Sequence, residues 1–459
     1  MDFLEDLRLV DGPVLWTAWA AGAAGLGYLL WRGGHRSSQD TDTGPRRALL
    51  FLLPLLAAAL TAAALLAGTH WLLIYAIPVF PGELPREVLG WSLAAITALL
   101  LCGLRLWTTW RPVPEAGQAR TRRRVRTTAV SIGALLGVVL LSAVQINAYF
   151  GLNHTVSDLT GTAVARIQPL EDGLKRVPGA TPSSLSGWSP PGSLPDGGEL
   201  RRASIPGTAS GFQSREAYIY LPPAYFATPR PALPVLVLFA GQPGAPADWL
   251  TGGALRSRMD RYAAEHHGVA PVVVVADPNG TASGNTLCMD SSIAPADTFL
   301  AKDVPEWINS TLDVDPDPSR WAVGGFSFGG TCAMQMVTRH PDTYGSALAF
   351  SSEREPALAK ERDKTVAASF GGDTEAFDRQ TPLRIMQERR FEGHGIYFAA
   401  GERDPEFLGY MDELSAAARK AGFSVETSPV PGAGHSWEAA STALPAGLDF
   451  LFSRWGIAQ

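Results

Sequence analysis

Three residues, far apart along the chain, are of the types that perform nucleophilic acyl chemistry. Ser327 is central in Gly325-Phe326-Ser327-Phe328-Gly329. Asp404 lies in Ala400-Gly401-Glu402-Arg403-Asp404-Pro405, and His435 in Gly432-Ala433-Gly434-His435-Ser436-Trp437. A serine hydroxyl attacks a carbonyl well only when a base within hydrogen-bond reach takes its proton and an acid holds that base in the right tautomer. The pentapeptide follows the apolar run Trp321-Ala322-Val323-Gly324 and opens into Thr331 to Thr338, which is helical in character. A strand, a sharp turn and a helix in that order lift the serine hydroxyl clear of a sheet. They also aim the first free N–H groups of the helix at a reacting carbonyl.

The other candidates are sorted by where their segments must lie. His340, in His340-Pro341-Asp342, ends the helix that leaves Ser327 and so points away from it. His394 precedes the strand Gly395-Ile396-Tyr397-Phe398 and falls at the amino edge of the sheet. His435 follows a strand on a glycine-rich loop, at the carboxyl edge where active sites sit. For the acid, Asp404 is the first choice and Glu402, on the same loop, the alternative; Asp373 in Gly371-Gly372-Asp373 is a third. Outside catalysis, a carboxylate before proline is commonly a turn or helix cap. An oxyanion needs two placed donors. The N–H of Phe328 is one, and the N–H of Gln242 in Ala240-Gly241-Gln242-Pro243-Gly244 is the other, because Pro243 has no N–H. Each such donor contributes about 3–4 kcal/mol to transition-state stabilisation. Without a catalytic role the same loop is an ordinary Gly/Pro turn.

No metal or cofactor is expected. His266 and His267 are adjacent and face apart on a helix, His154 stands alone, and neither a phosphate-binding loop nor a dinucleotide fingerprint follows a strand.

The elements that must position these residues begin near Glu199. Leu200–Ile205 and Ala217–Leu221 alternate like paired strands. Leu233–Phe239 and Pro271–Ala276 are short Val-rich runs suited to central strands covered on both faces. Strands at Trp321–Gly324, Ser346–Phe350, Gly395–Ala399 and Ser424–Val430 alternate with helices at Asp297–Asp313, Glu406–Ala421 and Leu444–Trp455. This succession predicts an α/β fold with a doubly wound, mostly parallel sheet across residues 199–459. Residues 151–198 read as a linker: Pro182 to Gly198 is rich in Pro, Ser and Gly, with a short amphipathic helix expected around Val164–Leu174. Cys288, in a loop after a strand, and Cys332, five residues past Ser327, both fall near the carboxyl edge. A disulfide between them is expected, against the alternative of two small buried thiols.

The first 150 residues differ in kind. Pro13–Trp31, Ala48–Gly68, Val88–Leu106 and Thr127–Tyr149 are each close to the ~20 apolar residues that span a bilayer. Acidic residues precede the first run, unlike a signal peptide. Arg32, Arg36, Arg46 and Arg47 fill the first connection, and Arg111, Arg120, Arg122, Arg123, Arg124 and Arg126 the third. The second holds only Arg86. Retention of positive charge in the cytoplasm puts the first and third connections inside and everything after Tyr149 outside. The apolar stretch from His70 to Pro78 is either an interfacial segment or an extension of the second helix. A net charge of −6 with both signs present argues against a nucleic-acid partner.

The outer region resembles the esterase D-like branch of the α/β-hydrolases, which includes feruloyl and acetyl carbohydrate esterases and the antigen 85 mycolyltransferases. The resemblance covers roughly Glu199 to Ile457. It rests on Tyr218-Ile219-Tyr220-Leu221-Pro222-Pro223-Ala224-Tyr225, on Gly241-Gln242, and on Thr298-Phe299-Leu300 before Asp303-Val304-Pro305-Glu306-Trp307-Ile308. Gly325-Phe326-Ser327-Phe328-Gly329-Gly330 and Gly434-His435-Ser436-Trp437 complete it. Ala240-Gly241 departs from the family's usual His-Gly or Asp-Gly. The combination with four membrane helices is similar to membrane-anchored esterase-family proteins of high-GC actinobacteria. The resemblance implies a triad of Ser327, Asp404 and His435. The leading expectation is a multi-pass, extracytoplasmic serine esterase acting on lipid or cell-envelope esters. The second is an acyltransferase that passes the acyl group to a sugar or lipid alcohol. The third is a binding protein that keeps the fold without the chemistry. The oligomeric state is not legible.

Overall fold

The computed structural model describes residues 5–31, 45–77, 82–111, 118–177, 179, 182–185, 188–190 and 192–457. The chain divides into two compact units, Met1–Leu159 and Thr160–Gln459.

In the first unit the long apolar runs form four helices: α1 (Gly12–Leu30), α2 (Pro45–Trp71), α3 (Arg86–Trp110) and α4 (Gln118–Phe150). Among the described residues, four stretches are long and apolar enough to cross a membrane: Gly12–Leu30, Leu53–Ala76, Arg86–Trp110 and Thr121–Phe150. Leu56, Leu60, Leu136 and Leu140 point outward, as suits a lipid-facing surface. Small residues bring α1 and α4 together. A Cβ on Gly25 would stand 2.4 Å from the Ala134 carbonyl oxygen, and one on Gly137 2.7 Å from that of Ala21, so the helices run antiparallel in close contact. Cys102 Sγ lies 3.5 Å from the Ser131 oxygen, and Trp110 Nε1 donates to Thr128 Oγ1 at 3.0 Å, which makes α3 antiparallel to α4 as well. Arg105 donates to the carbonyls of Tyr28 and Trp31 at the end of α1, both at 2.7 Å. Arg111, Arg122, Arg123, Arg124 and Arg126 therefore gather at the end of the bundle where α1 and α3 finish and α4 begins. At the other end Leu9 N–H donates to His154 O and Val156 N–H to Leu7 O, and the chain leaves there. α2 continues through a π-helical turn, Leu72–Ala76, so the stretch after His70 extends the helix. Arg32, Arg36 and Pro78 lie outside the described residues, as do the side chains of Arg46, Arg47 and Arg120.

In the second unit, among the described residues, nine strands form one sheet: β1 (Gln168–Pro169), β2 (Glu199–Ala203), β3 (Ala217–Leu221), β4 (Val235–Phe239), β5 (Val272–Ala276), β6 (Trp321–Phe326), β7 (Ser346–Phe350), β8 (Gly395–Gly401) and β9 (Ser424–Val430). Their order is β1-β2-β3-β5-β4-β6-β7-β8-β9. β3 is antiparallel to both neighbours, and from β5 through β9 every pairing is parallel. All residues of β3 to β8 are buried, which explains their unbroken apolar runs; β9, at the edge, is mostly open. The helices used below are α5 (Leu255–Glu265), α6 (Val304–Thr311), α7 (Phe328–Arg339), α8 (Arg362–Phe370), α9 (Thr374–Asp378), α10 (Pro382–Glu388), α11 (Pro405–Lys420) and α12 (Trp437–Trp455). This is an α/β-hydrolase sheet, with α8 to α10 inserted between β7 and β8.

The helix expected around Val164–Leu174 is instead a single turn, Thr162–Ala165, followed by β1 pairing with β2. Pro169 has no N–H for a helix and disfavours helical geometry at Gln168. Within the Pro/Ser/Gly-rich stretch, Ser183 exchanges hydrogen bonds with Arg230 and Ala232, and Leu185 and Trp188 rest on the sheet core. Ser186, Gly187 and Pro191 lie outside the described residues.

Cys288 and Cys332 are joined by a disulfide, their Cα atoms 5.5 Å apart. It fastens the loop after β5 to α7, where Gln335 Nε2 also donates to Leu287 O at 2.8 Å and Arg339 to Cys288 O. Leu287 and Cys288 both have left-handed backbones, at φ 59° and 52°, which such residues adopt only when held. The bridge closes a span of 44 residues, and loop-closure entropy assigns it about 4 kcal/mol. The Cys288→Ser/Cys332→Ser variant is expected to melt about 10 °C lower than the oxidised protein in a thermal scan. The single-residue variants should match the double one.

Candidate active site

The parallel strands turn outward in opposite directions from β4: β5 lies on one side of it and β6 on the other. A crevice opens at the carboxyl ends of strands at such a switch point. The loop Ala240–Gly244 leaves β4 there, and Ser327 leaves β6 beside it.

Ser327 has φ 57° and ψ −120°, a conformation that costs a non-glycine residue energy. It is held by its N–H, which donates to Phe350 O at 2.9 Å, and by α7, whose first turn starts at Phe328. The serine oxygen faces His435 Nε2 at 2.8 Å, and His435 Nδ1 faces Asp404 Oδ2 at 2.9 Å. A carboxylate only accepts, so Nδ1 carries the hydrogen, and Nε2 is left to accept from the serine hydroxyl. Asp404 is buried at the start of α11, and His435 is half-buried. The imidazole is gripped by rings: the centroid of Phe407 lies 4.0 Å from its own and that of Phe326 5.1 Å. Trp437 packs on Phe326, and Trp249 on Trp437.

The remaining candidates are engaged elsewhere. Glu402 Oε2 accepts from Gly432 N–H at 3.2 Å and so braces the loop that carries His435. Asp373 caps α9 through Ala376 N–H. His340 Nε2 meets Asp297 at 2.9 Å, and hydrogen bonding to His340 together with the Arg339 charge outweighs burial and keeps that carboxyl below its usual range. His394 contacts Pro341 O. His266 stacks on Tyr262. Among the described residues no cluster of His, Cys, Asp and Glu could hold a metal ion.

The β4 loop approaches Ser327. A Cβ on Gly241 would lie 3.7 Å from Ser327 Cβ and 3.5 Å from the Phe326 oxygen. Gln242 is the next residue of that loop. The Phe328 N–H is the first of α7, where no preceding turn supplies an acceptor. The loop is tied from below by groups that sequence reading missed. Arg215 donates to Gly244 O at 3.0 Å and forks onto Asp277 at 2.7 and 2.9 Å. Asp277, fully buried, also accepts from Asn279 and Gly280 N–H. Asp248 Oδ2 accepts from Ala245 N–H at 2.8 Å, its carboxyl raised above the usual range by burial. The available signal was position: Asp277 directly follows a Val-rich strand at the carboxyl edge.

Arg215→Leu strands the Asp277 carboxylate and is expected to cost about 3 kcal/mol of stability. Removing both charges in Arg215→Leu/Asp277→Leu should recover part of that loss, read as melting temperature.

A family model described as "Putative esterase" matches residues 210–451. Over 270 residues the chain is 38% identical to an uncharacterized protein of Corynebacterium glutamicum, a match that covers 57% of this chain and 63% of that protein. The chain thus spans less than two thirds of the length of that relative. Solved structures with a similar fold include a ferulic acid esterase (TM-score 0.49, 20% identity, 57% of this chain and 100% of that one). An S-formylglutathione hydrolase from Agrobacterium tumefaciens gives 0.47 and 19% over 57% and 97%. MPT51 of Mycobacterium tuberculosis gives 0.45 and 15% over 56% and 98%. The family match takes in more than half of the residues and includes Ser327, Asp404 and His435, and the chain belongs to this esterase family.

Proposed function

We propose that the protein is a membrane-anchored serine esterase whose catalytic unit lies on the extracytoplasmic side and acts on ester-linked lipids or cell-envelope components. The observation that carries this reading is the hydrogen-bonded chain Ser327–His435–Asp404, at 2.8 and 2.9 Å. Ser327 Oγ attacks the ester carbonyl while His435 Nε2 takes its proton. The N–H groups of Phe328 and Gln242 receive the negative charge that develops on the carbonyl oxygen. As the tetrahedral centre collapses, His435 returns the proton to the departing alcohol, leaving an acyl-enzyme. Water, deprotonated by the same imidazole, then releases the acid. Asp404 holds the imidazole in the productive tautomer and stabilises its cationic form.

Sidedness is supported by two features. The chain leaves the helical bundle at the end opposite the clustered arginines, and positive charge is retained inside. The hydrolase unit also carries a disulfide, which persists in oxidising compartments.

A fluorophosphonate probe unable to cross membranes should label Ser327 on intact cells, and Ser327→Ala should abolish labelling and ester hydrolysis. Asp404→Asn is expected to lower kcat by about 10⁴-fold, while Glu402→Gln keeps most of it. Folded protein that is not labelled would favour a binding role. Acylated product appearing when a sugar is supplied would make the acyl acceptor an alcohol instead of water.

A further inference from the structure

One ionisable side chain close to Ser327, on the Thr331 hydroxyl that also reaches Ser327 O at 3.2 Å, has no part in the mechanism above. Glu353 lies three residues past the end of β7, the strand next to that of Ser327. The stretch leading to it is as constrained as the nucleophile turn. Ser351 has a left-handed backbone, φ 44°, so adjacent strands β6 and β7 both end on a left-handed serine. Phe350 O accepts from Ser327 N–H, and Ser351 N–H donates to Ala399 O on β8, which pins the strand end on both sides. Glu353 N–H then donates to Thr331 Oγ1 on the first turn of α7 at 3.0 Å, and the hydroxyl stands 3.4 Å from Glu353 Oε2. Ser351 and Ser352 are buried, whereas Glu353 keeps part of its surface open.

We propose that Glu353 is a specificity-determining residue of the Ser327 site, donating a hydrogen bond from its carboxyl group to an oxygen acceptor on the alcohol portion of the ester. The inference deepens the esterase reading and rests on Ser327 being the nucleophile. Sheet order decides which part of the substrate it meets. Along β4-β6-β7-β8-β9 the strand ends carry, in turn, the oxyanion loop, Ser327, Glu353, Asp404 and, through the loop after β9, His435. The carbonyl oxygen points back toward the β4 loop. The departing alcohol must sit under His435, which gives it a proton, and so on the β7–β8 side. Phe407 on α11 covers His435, and its neighbour Glu406 is the charged group that faces Glu353.

Those surroundings disfavour the charged form of the carboxyl. Burial pushes it up to about 8, against the Thr331 hydrogen bond and with added repulsion from Glu406. Tyr410 on α11 hydrogen bonds to Glu406 at 2.7 Å, and Arg354 is drawn off to Glu413 at 2.8 Å. From α7 the facing group is the uncharged Thr331. A neutral carboxyl donates to an ether or second ester oxygen, and an ionised one repels it. The substrate class favoured is therefore an ester whose alcohol carries further acceptor oxygens, as a polyacylated polyol does.

The test compares 2-methoxyethyl butyrate with butyl butyrate, which have the same shape and differ by one acceptor, on the full-length protein. The wild type is expected to prefer the methoxy ester about tenfold in kcat/KM near pH 7, the ratio one hydrogen bond supplies, and to lose that preference as pH rises past 8. Glu353→Gln, a donor that does not titrate, should keep the preference at pH 9. Glu353→Leu should show none at any pH. Fluorophosphonate labelling of Ser327 in all three separates the outcomes. Labelled proteins with equal, pH-independent ratios would overturn the role of Glu353 alone. A wild type that is not labelled would overturn the nucleophile, and this inference with it.

Discussion

The whole site hangs on how closely the backbone packs where β6 turns into α7. A Cβ on Gly325 would lie 2.2 Å from the Gly329 carbonyl carbon, one on Gly329 2.1 Å from the Phe239 oxygen, and one on Gly330 2.7 Å from the Phe350 oxygen. α7 therefore begins in direct backbone contact with β4, β6 and β7, with no room for a side chain. That contact forces Ser327 into its left-handed conformation and sets it beside both the β4 loop and the end of β7. The cost of the strained residue is offset by the burial of α7, in which every residue from Phe328 to Thr338 is inside. Core and active site are here one piece of packing, so the glycines of the pentapeptide are steric requirements more than flexible ones.

Much of this was legible in the sequence because the signals are local. Val-rich runs between turn residues mark fully covered strands, and the strand ends agree with the expected ones to within a few residues. The pentapeptide marks the turn, and position after a strand separates His435 from His340 and His394. Long-range geometry was less legible. Glu402 and Asp404 are two residues apart on one loop, and composition cannot say which meets the imidazole. Asp404 precedes Pro405 and faces inward as α11 starts, whereas the Glu402 N–H and carboxylate are taken by Val430 and Gly432 on the facing loop. The insertion α8–α10 went unread because its helices are short and rest on the loop after β5 through only a small apolar face, built on Val366 and Phe377 against Leu287 and Met289. Arg215 meets Asp277, 62 residues away, and Glu353 meets Thr331, 22 residues away, separations that a local reading does not span.

The helical unit follows different rules. Hydropathy reveals its helices, yet in a bilayer hydropathy would not hold them together, since lipid is as apolar as leucine. Contact instead comes from glycine and alanine, which let α1 and α4 approach until Gly25 and Gly137 meet facing carbonyls. Arg105 adds a polar lock by capping the last carbonyls of α1 while its guanidinium lies 4.0 Å over the Tyr28 ring. A cation at a helix C-terminus is favourable in any solvent, and more so near the edge of an apolar one.

Two unrelated physical criteria bear on which way this bundle points. Arginine placement is electrostatic: the guanidinium groups resist transfer across the membrane, and they cluster at one end. Cysteine pairing is redox chemistry: Cys288 and Cys332 are bridged, while Cys102, buried in α3, is free. Had the hydrolase unit followed from the arginine-rich end, the bridge would have to survive among reducing thiols, and the left-handed Leu287–Cys288 loop would lose its restraint. Both criteria favour the same side, and neither depends on the triad. On the proposed reading, an esterase tethered there by four helices would meet its substrates at the membrane surface. In that proposed setting an ester would be recognised by its oxygen-rich alcohol as much as by its acyl chain, because the polar part is the one that reaches out of the lipid.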